Sequence, residues 1–145
     1  MIINIQNVLR TSQLSPELLA GIARSSEFTS QHDLYYYRDC MKHELLTAVV
    51  TCDKAVRGVC VCKRSLIPDS CEIDSLCIDA DFRRKGLGRK LLAHSLRNMR
   101  SLHIKTAYLW VGEKNSIAME FFTVFGFKPD GKRRGGEVRL KIDIY

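Results

Sequence analysis

The chain has 145 residues, nearly half of them hydrophobic, and a formal net charge of +7. This length suits a single domain over residues 1–145 that can bury a core without disulfides or metals. No apolar run nears the length of a membrane span, and the first residues lack the basic region, long apolar stretch and cleavage site of a secretory signal, so a cytoplasmic protein without membrane contact is expected.

In chain order, the pattern predicts a strand over 2–9 and a helix opening at Ser15-Pro16-Glu17, where Ser suits an N-cap and Pro the first turn. A short helix follows over 31–41. Strands over 45–52, 56–64 and 71–78, joined by turns containing Asp53 and Pro68-Asp69, form a meander. A helix runs from Gly86 to about 100, a strand covers 106–111, a helix 116–125, and an alternating strand 138–144 closes the chain. The basic run Lys132-Arg133-Arg134-Gly135-Gly136 reads as a solvated hairpin loop, with an acidic acceptor site as the sharper alternative. The apolar final strand could pair with a second copy, so monomer and homodimer both stay open.

The positive balance favours an anionic partner, much of it concentrated in 83–90 and 128–134. No zinc finger, basic stripe interleaved with aromatics or clear recognition helix accompanies it, so nucleic acid is not expected. Six cysteines, Cys40, Cys52, Cys60, Cys62, Cys71 and Cys77, contain no Cys-x-x-Cys pair, and four scattered histidines, His32, His43, His94 and His103, have no ligand spacing. No metal is expected, and Cys60 and Cys62 read as neighbours on one strand face of a reduced core.

The segment Arg83-Arg84-Lys85-Gly86-Leu87-Gly88 stands where period two changes to period 3.6, at the start of a helix carrying Leu87, Leu91, Leu92, Ser95, Leu96 and Met99 on one face. Unpaired N–H groups at a helix start, flanked by glycines and arginines, suit a phosphate. Arg89 after Gly88 excludes a Walker loop, which needs Lys and a hydroxyl there, and the missing third glycine disfavours a dinucleotide fold.

Arg-x-x-Gly-x-Gly after a strand resembles the acyl-coenzyme A loop of the GNAT superfamily of N-acetyltransferases. Leu109-Trp110-Val111, then Asn115, Ala118, Phe121-Phe122 and Phe125-Gly126-Phe127, is similar to that family's second cofactor element. Val49-Val50 and Val59-Cys60-Val61 resemble its central strands, so the match covers roughly residues 45–145.

The resemblance implies an α+β fold: a central mixed, mostly antiparallel sheet of about six to seven strands flanked by about four helices. It also implies acetyl-CoA as acyl donor and an amine-bearing small molecule or protein as acceptor, with direct transfer to a primary amine; a non-catalytic acyl-CoA-binding or sensing module is the alternative. In such a fold two adjacent strands splay. Leu76, Cys77 and Ile78 would then meet the pantetheine arm, and the loop Arg83, Arg84, Lys85, Gly86, Leu87, Gly88 and Arg89 would hold the pyrophosphate. A Cβ at either glycine is expected to fill space the phosphate needs.

Glu72 is the candidate general base, at a spacing before Arg83 that matches one histone-acetylating branch. Asp74 shares its strand face, and a neighbouring carboxylate can raise a base toward neutrality. Asn115 is expected to bond the cofactor, to cap the following helix, or both. Phe121, Phe125 and Phe127 are expected in the core and Phe122 beside the pantetheine channel.

Two departures stand out. Phe122 occupies the place of the tyrosine that protonates the leaving thiolate in many members, leaving Tyr108, Tyr145 or water as substitutes. Trp110 stands where the ribosomal-protein-acetylating branch carries a glutamate, so the chain is not assigned to that branch. Tyr35-Tyr36-Tyr37 fall where relatives shape the acceptor pocket, or on an ordinary amphipathic helix.

Overall fold

Apolar runs such as Val49-Val50 and Val59-Cys60-Val61, buried on both faces, form the middle of a seven-stranded sheet in the computed structural model, which describes residues 1–7 and 46–144. Its strands are β1 (Ile3–Asn7), β2 (Leu46–Cys52), β3 (Ala55–Arg64), β4 (Ser70–Ile78), β5 (Thr106–Gly112), β6 (Lys128–Arg134) and β7 (Glu137–Asp143). Two α-helices accompany them among the described residues, α1 (Leu87–Ser101) and α2 (Ser116–Phe125). The two helices expected at 15 and over 31–41 lie outside the described residues, as do Tyr35, Tyr36, Tyr37, Cys40, His32, His43 and Tyr145.

The strand order is β1-β2-β3-β4-β5-β7-β6, antiparallel throughout except for the parallel β4–β5 pair. That is the mixed, mostly antiparallel sheet expected from the sequence. A helix is the natural link between parallel neighbours, because a hairpin cannot join them, and α1 is that link.

The loop expected over 132–136 is instead a strand, β6, followed by a turn at Gly135-Gly136 into β7. Its residues Lys-Pro-Asp-Gly-Lys-Arg-Arg lack apolar alternation because β6 is a sheet edge with only Asp130 partly buried. Charge, Pro129 and an irregular register between Pro129 and Arg133 blunt that edge against further pairing. β7 lies between β5 and β6, so it has no open edge to offer a second copy.

The core forms where the helical stripe meets one sheet face. Leu87, Leu91, Leu92, Ser95 and Met99 of α1 are buried with Cys60, Cys62, Cys71, Ile73, Leu76 and Ile78. The Cys60 and Cys62 sulfurs lie 3.7 Å apart, side by side on β3 as expected. The hydrogen bond with Cys60, together with burial, holds the Cys62 thiol well above the usual thiol range. α2 is capped at both ends: Asn115 Oδ1 accepts from Ala118 N–H at 3.1 Å, and Gly126, at φ +128, returns its N–H to the Phe122 and Thr123 carbonyls.

Candidate active site

β4 and β5 pair through three rungs only, Ser70↔Thr106, Cys71↔Ala107 and Glu72↔Tyr108. Beyond the last rung β4 continues to Ile78 and β5 to Gly112 without pairing with each other, which opens a wedge between them. The open stretch of β4, residues 73–78, is roughly 20 Å long at the usual strand rise. A bulge helps to open it. Ile73 pairs with Cys62 and Ser75 with Val61, so Asp74 is the extra residue on β4.

The wedge runs toward the start of α1. Asp79 accepts from Asp81 N–H and pairs with Arg57 at 3.1 Å, while the Arg57 guanidinium sits 4.4 Å above the Phe82 ring. Arg83 Nε donates to the Ile78 carbonyl at 3.2 Å and ties the loop to the end of β4. Arg84 at φ +61 and Gly86 at φ +76 both adopt the left-handed conformation. No side chain caps α1, so the positive end of the helix and its first-turn N–H groups meet a cavity of about 540 Å³.

Arg83, Arg84, Gly86, Leu87, Gly88 and Arg89 form one wall of that cavity with Ile78 and Phe82. Ile117, Glu120, Phe121, Val124 and Phe125 of α2 form the other. An uncapped helix start beside three guanidinium groups fits a pyrophosphate, and the apolar wall fits the less polar part of a coenzyme A. A Cβ at Gly86 would meet no protein atom within 4 Å, so the protein itself requires glycine there for its φ and leaves the space beside it open.

Of the residues expected at the cofactor, Arg83, Arg84, Gly86, Leu87, Gly88, Arg89 and Ile78 come together around the cavity. Lys85 lies over the Phe82 ring at 5.8 Å. Leu76 and Cys77 are fully buried along the open stretch of β4, and Asn115 caps α2, without lining the cavity. On α2, Phe121 and Phe125 pack against the core as expected but also line the cavity, and Phe122 is the residue that leaves it. Phe122 is fully buried and meets Phe127 edge-on at 5.5 Å, whereas Phe121 and Phe125 line the cavity. The cause is the helical phase: Ala118 and Phe122 face the sheet, and Ile117, Phe121 and Val124 face the cavity.

Phe82, Ile117, Glu120 and Val124 are cavity residues that the motif reading missed. The signal was present in α2, where Ile117, Phe121 and Val124 form a second apolar stripe; Ile117 and Val124 are 56% and 69% exposed.

Register aligns a row across the opposite sheet face: Lys63 of β3, Glu72 of β4, Tyr108 of β5, Lys141 of β7 and Lys128 of β6. Glu72 thus occupies the closed end of the wedge. Lys63 Nζ lies 3.5 Å from Glu72 Oε2 and 3.5 Å from Asp74 Oδ1. Lys63 thus bridges the two carboxylates across the β3–β4 pair. On the next row the Arg139 guanidinium covers the Tyr108 ring at 4.5 Å and bonds Asp130 at 2.6 Å, and Arg134 covers Trp110 at 4.3 Å. Among the described residues no three metal-ligating side chains cluster, and no helix is long and apolar enough to cross a membrane.

A wedge between parallel strands, opening onto a glycine-marked helix start, defines the class. The model of the acetyltransferase (GNAT) family matches residues 15–127, and the chain belongs to that family. Among curated proteins, a ribosomal protein bS18-alanine N-acetyltransferase of Salmonella typhimurium is 30% identical over 69 residues, 48% of this chain and 47% of that protein. The match thus spans about half the length of that relative. Among solved structures, the ribosomal-protein-S18-alanine N-acetyltransferase from Escherichia coli superposes with a TM-score of 0.83 at 18% identity, covering 99% of this chain and 94% of that one. The PaiA N-acetyltransferase from Thermoplasma acidophilum, in complex with coenzyme A, gives 0.78 at 20% identity, covering 99% of each chain. These likenesses place the fold.

Proposed function

We propose that the chain is an acetyl-CoA-dependent N-acetyltransferase that moves the acetyl group directly to a primary amine of a small molecule, a peptide N-terminus or a lysine. The wedge carries the reading: pairing between β4 and β5 ends at Glu72↔Tyr108, and the open part leads to the uncapped start of α1. Acetyl-CoA, when bound, supplies an activated acyl group. The N–H groups of residues 84–89 with Arg83, Arg84 and Arg89 bind the pyrophosphate. The edge of β4 at Leu76, Cys77 and Ile78 orients the pantetheine arm as an added strand, and Ile117, Phe121 and Val124 keep water from it. Asn115 contributes by fixing the start of α2.

Glu72, side chain 22% exposed at the closed end, takes a proton from the acceptor ammonium, without which the amine has no lone pair to react. Acceptor identity draws support from two of the relatives named above, whose names specify a ribosomal-protein alanine, so a peptide N-terminus belongs in any panel. A reducing, cytoplasmic setting is part of the same reading, supported among the described residues by Cys52, Cys60, Cys62, Cys71 and Cys77, which are free and buried.

One observation favours the sensing-module alternative: Phe122 is buried in the core, so no hydroxyl stands where many relatives keep their acid. A thiol leaves tolerably well without one, with a reference pKa near ~8.5, so slower turnover is expected rather than none. The test is release of coenzyme A thiol from acetyl-CoA against small amines, lysine peptides and N-terminal peptides. Wild type should release thiol only with an acceptor, and Glu72→Gln should lower the rate by about 100-fold with coenzyme A binding intact. Binding without turnover on any acceptor would favour the sensing module.

A further inference from the structure

We propose that Lys63 is an internal acceptor: the chain acetylates its own Lys63 Nζ with the acyl group held between β4 and β5. The proposal rests on the acyl-donor reading above and adds to it a modification site. The fold already holds an alkyl ammonium against the candidate base, since Lys63 Nζ is 3.5 Å from Glu72 Oε2 and equally close to Asp74 Oδ1. The Lys63 side chain is 43% exposed, so it is held from one side by the carboxylates and open on the other.

Register supplies the reach. Lys63 opposes Glu72, and Glu72 opposes Tyr108 on the last rung before the strands part. From Lys63 to the closed end of the wedge is therefore a crossing of one strand, about 4.8 Å between neighbours, which a four-carbon side chain spans. The bulge at Asp74 places the second carboxylate beside the first, so the ammonium is shared at the point where an incoming acceptor would also be delivered.

The step balances. Glu72 takes one proton from Nζ, the nitrogen lone pair forms the bond to the thioester carbonyl carbon, and the carbon–sulfur bond breaks with its electron pair on sulfur. The thiolate then takes up a proton, leaving free thiol and N-acetyl-lysine, with nothing oxidised or reduced.

The experiment incubates the chain with acetyl-CoA and no acceptor, then follows acetyl occupancy at each lysine by peptide mass spectrometry. In parallel, thiol release on the amine panel and coenzyme A binding are measured. Lys54, exposed in the turn at the far end of β3, reports uncatalysed acetylation. Lys63 should acquire acetyl at least about ten-fold faster than Lys54, at a rate independent of protein concentration, as an intramolecular reaction requires. Glu72→Gln should slow Lys63 by about 100-fold and leave Lys54 unchanged.

Lys63 labelled no faster than Lys54, while added amines are acetylated, overturns this proposal and leaves the transferase reading standing. A rate that scales with protein concentration also overturns it, because one molecule would then be modifying another. Absence of coenzyme A binding, thiol release and Lys63 labelling overturns both.

Discussion

At the scale of single residues, the site depends on side chains whose place is set by backbone geometry. Gly86 adopts φ +76 with open space where a Cβ would point, so its requirement is conformational before any ligand arrives. Gly86→Ala should lower stability by about 1 kcal/mol, the cost of a left-handed L-residue, and weaken coenzyme A binding because the first-turn N–H groups re-aim. Urea unfolding and titration calorimetry check the two parts, and a variant unchanged in both would contradict this view of the loop. Glu72 became a candidate base through a spacing before Arg83 that resembles one branch of the family. Lys63 was not, because its partnership with Glu72 and Asp74 depends on β3–β4 register rather than sequence distance.

Elements position the site by what they leave undone. β4 and β5 stop pairing after three rungs, α1 starts without a side-chain cap, and the end of β4 at Ile78 lines the cavity beside that helix start. α2 is the contrast, a short helix closed by Asn115 and Gly126. Asn115→Ala should cost about 1 kcal/mol in chemical unfolding through the lost bond to Ala118 N–H. A change near zero would mean that the cap contributes nothing to α2.

Strands and helices with strong periodicity were legible in the sequence, down to the 116–125 bounds of α2. β6 was not, because an edge strand that buries only Asp130 in part carries no alternation to read. The burial of Phe122 away from the cavity was missed for a related reason: α2 has two apolar faces, and composition alone does not say which one meets the sheet.

Over the whole molecule, the described part of the chain divides its work between the two faces of one sheet. One face carries α1, α2 and the core, including the Cys60–Cys62 pair, which packing rather than redox chemistry explains. The other carries the row Lys63, Glu72, Tyr108, Lys141 and Lys128, where an acceptor would approach the closed end of the wedge. The positive balance of +7 then has one local meaning at the α1 loop and another at the β6 edge, where charge discourages pairing. The proposed function requires that the wedge between β4 and β5 receive the acyl donor. Hydrogen exchange of the backbone amides, with and without coenzyme A, tests it most directly. Added protection concentrated at residues 76–78 and 84–89, with the β6–β7 hairpin unchanged, is the predicted result; protection confined to that hairpin, or none at the wedge under saturating coenzyme A, would contradict the account.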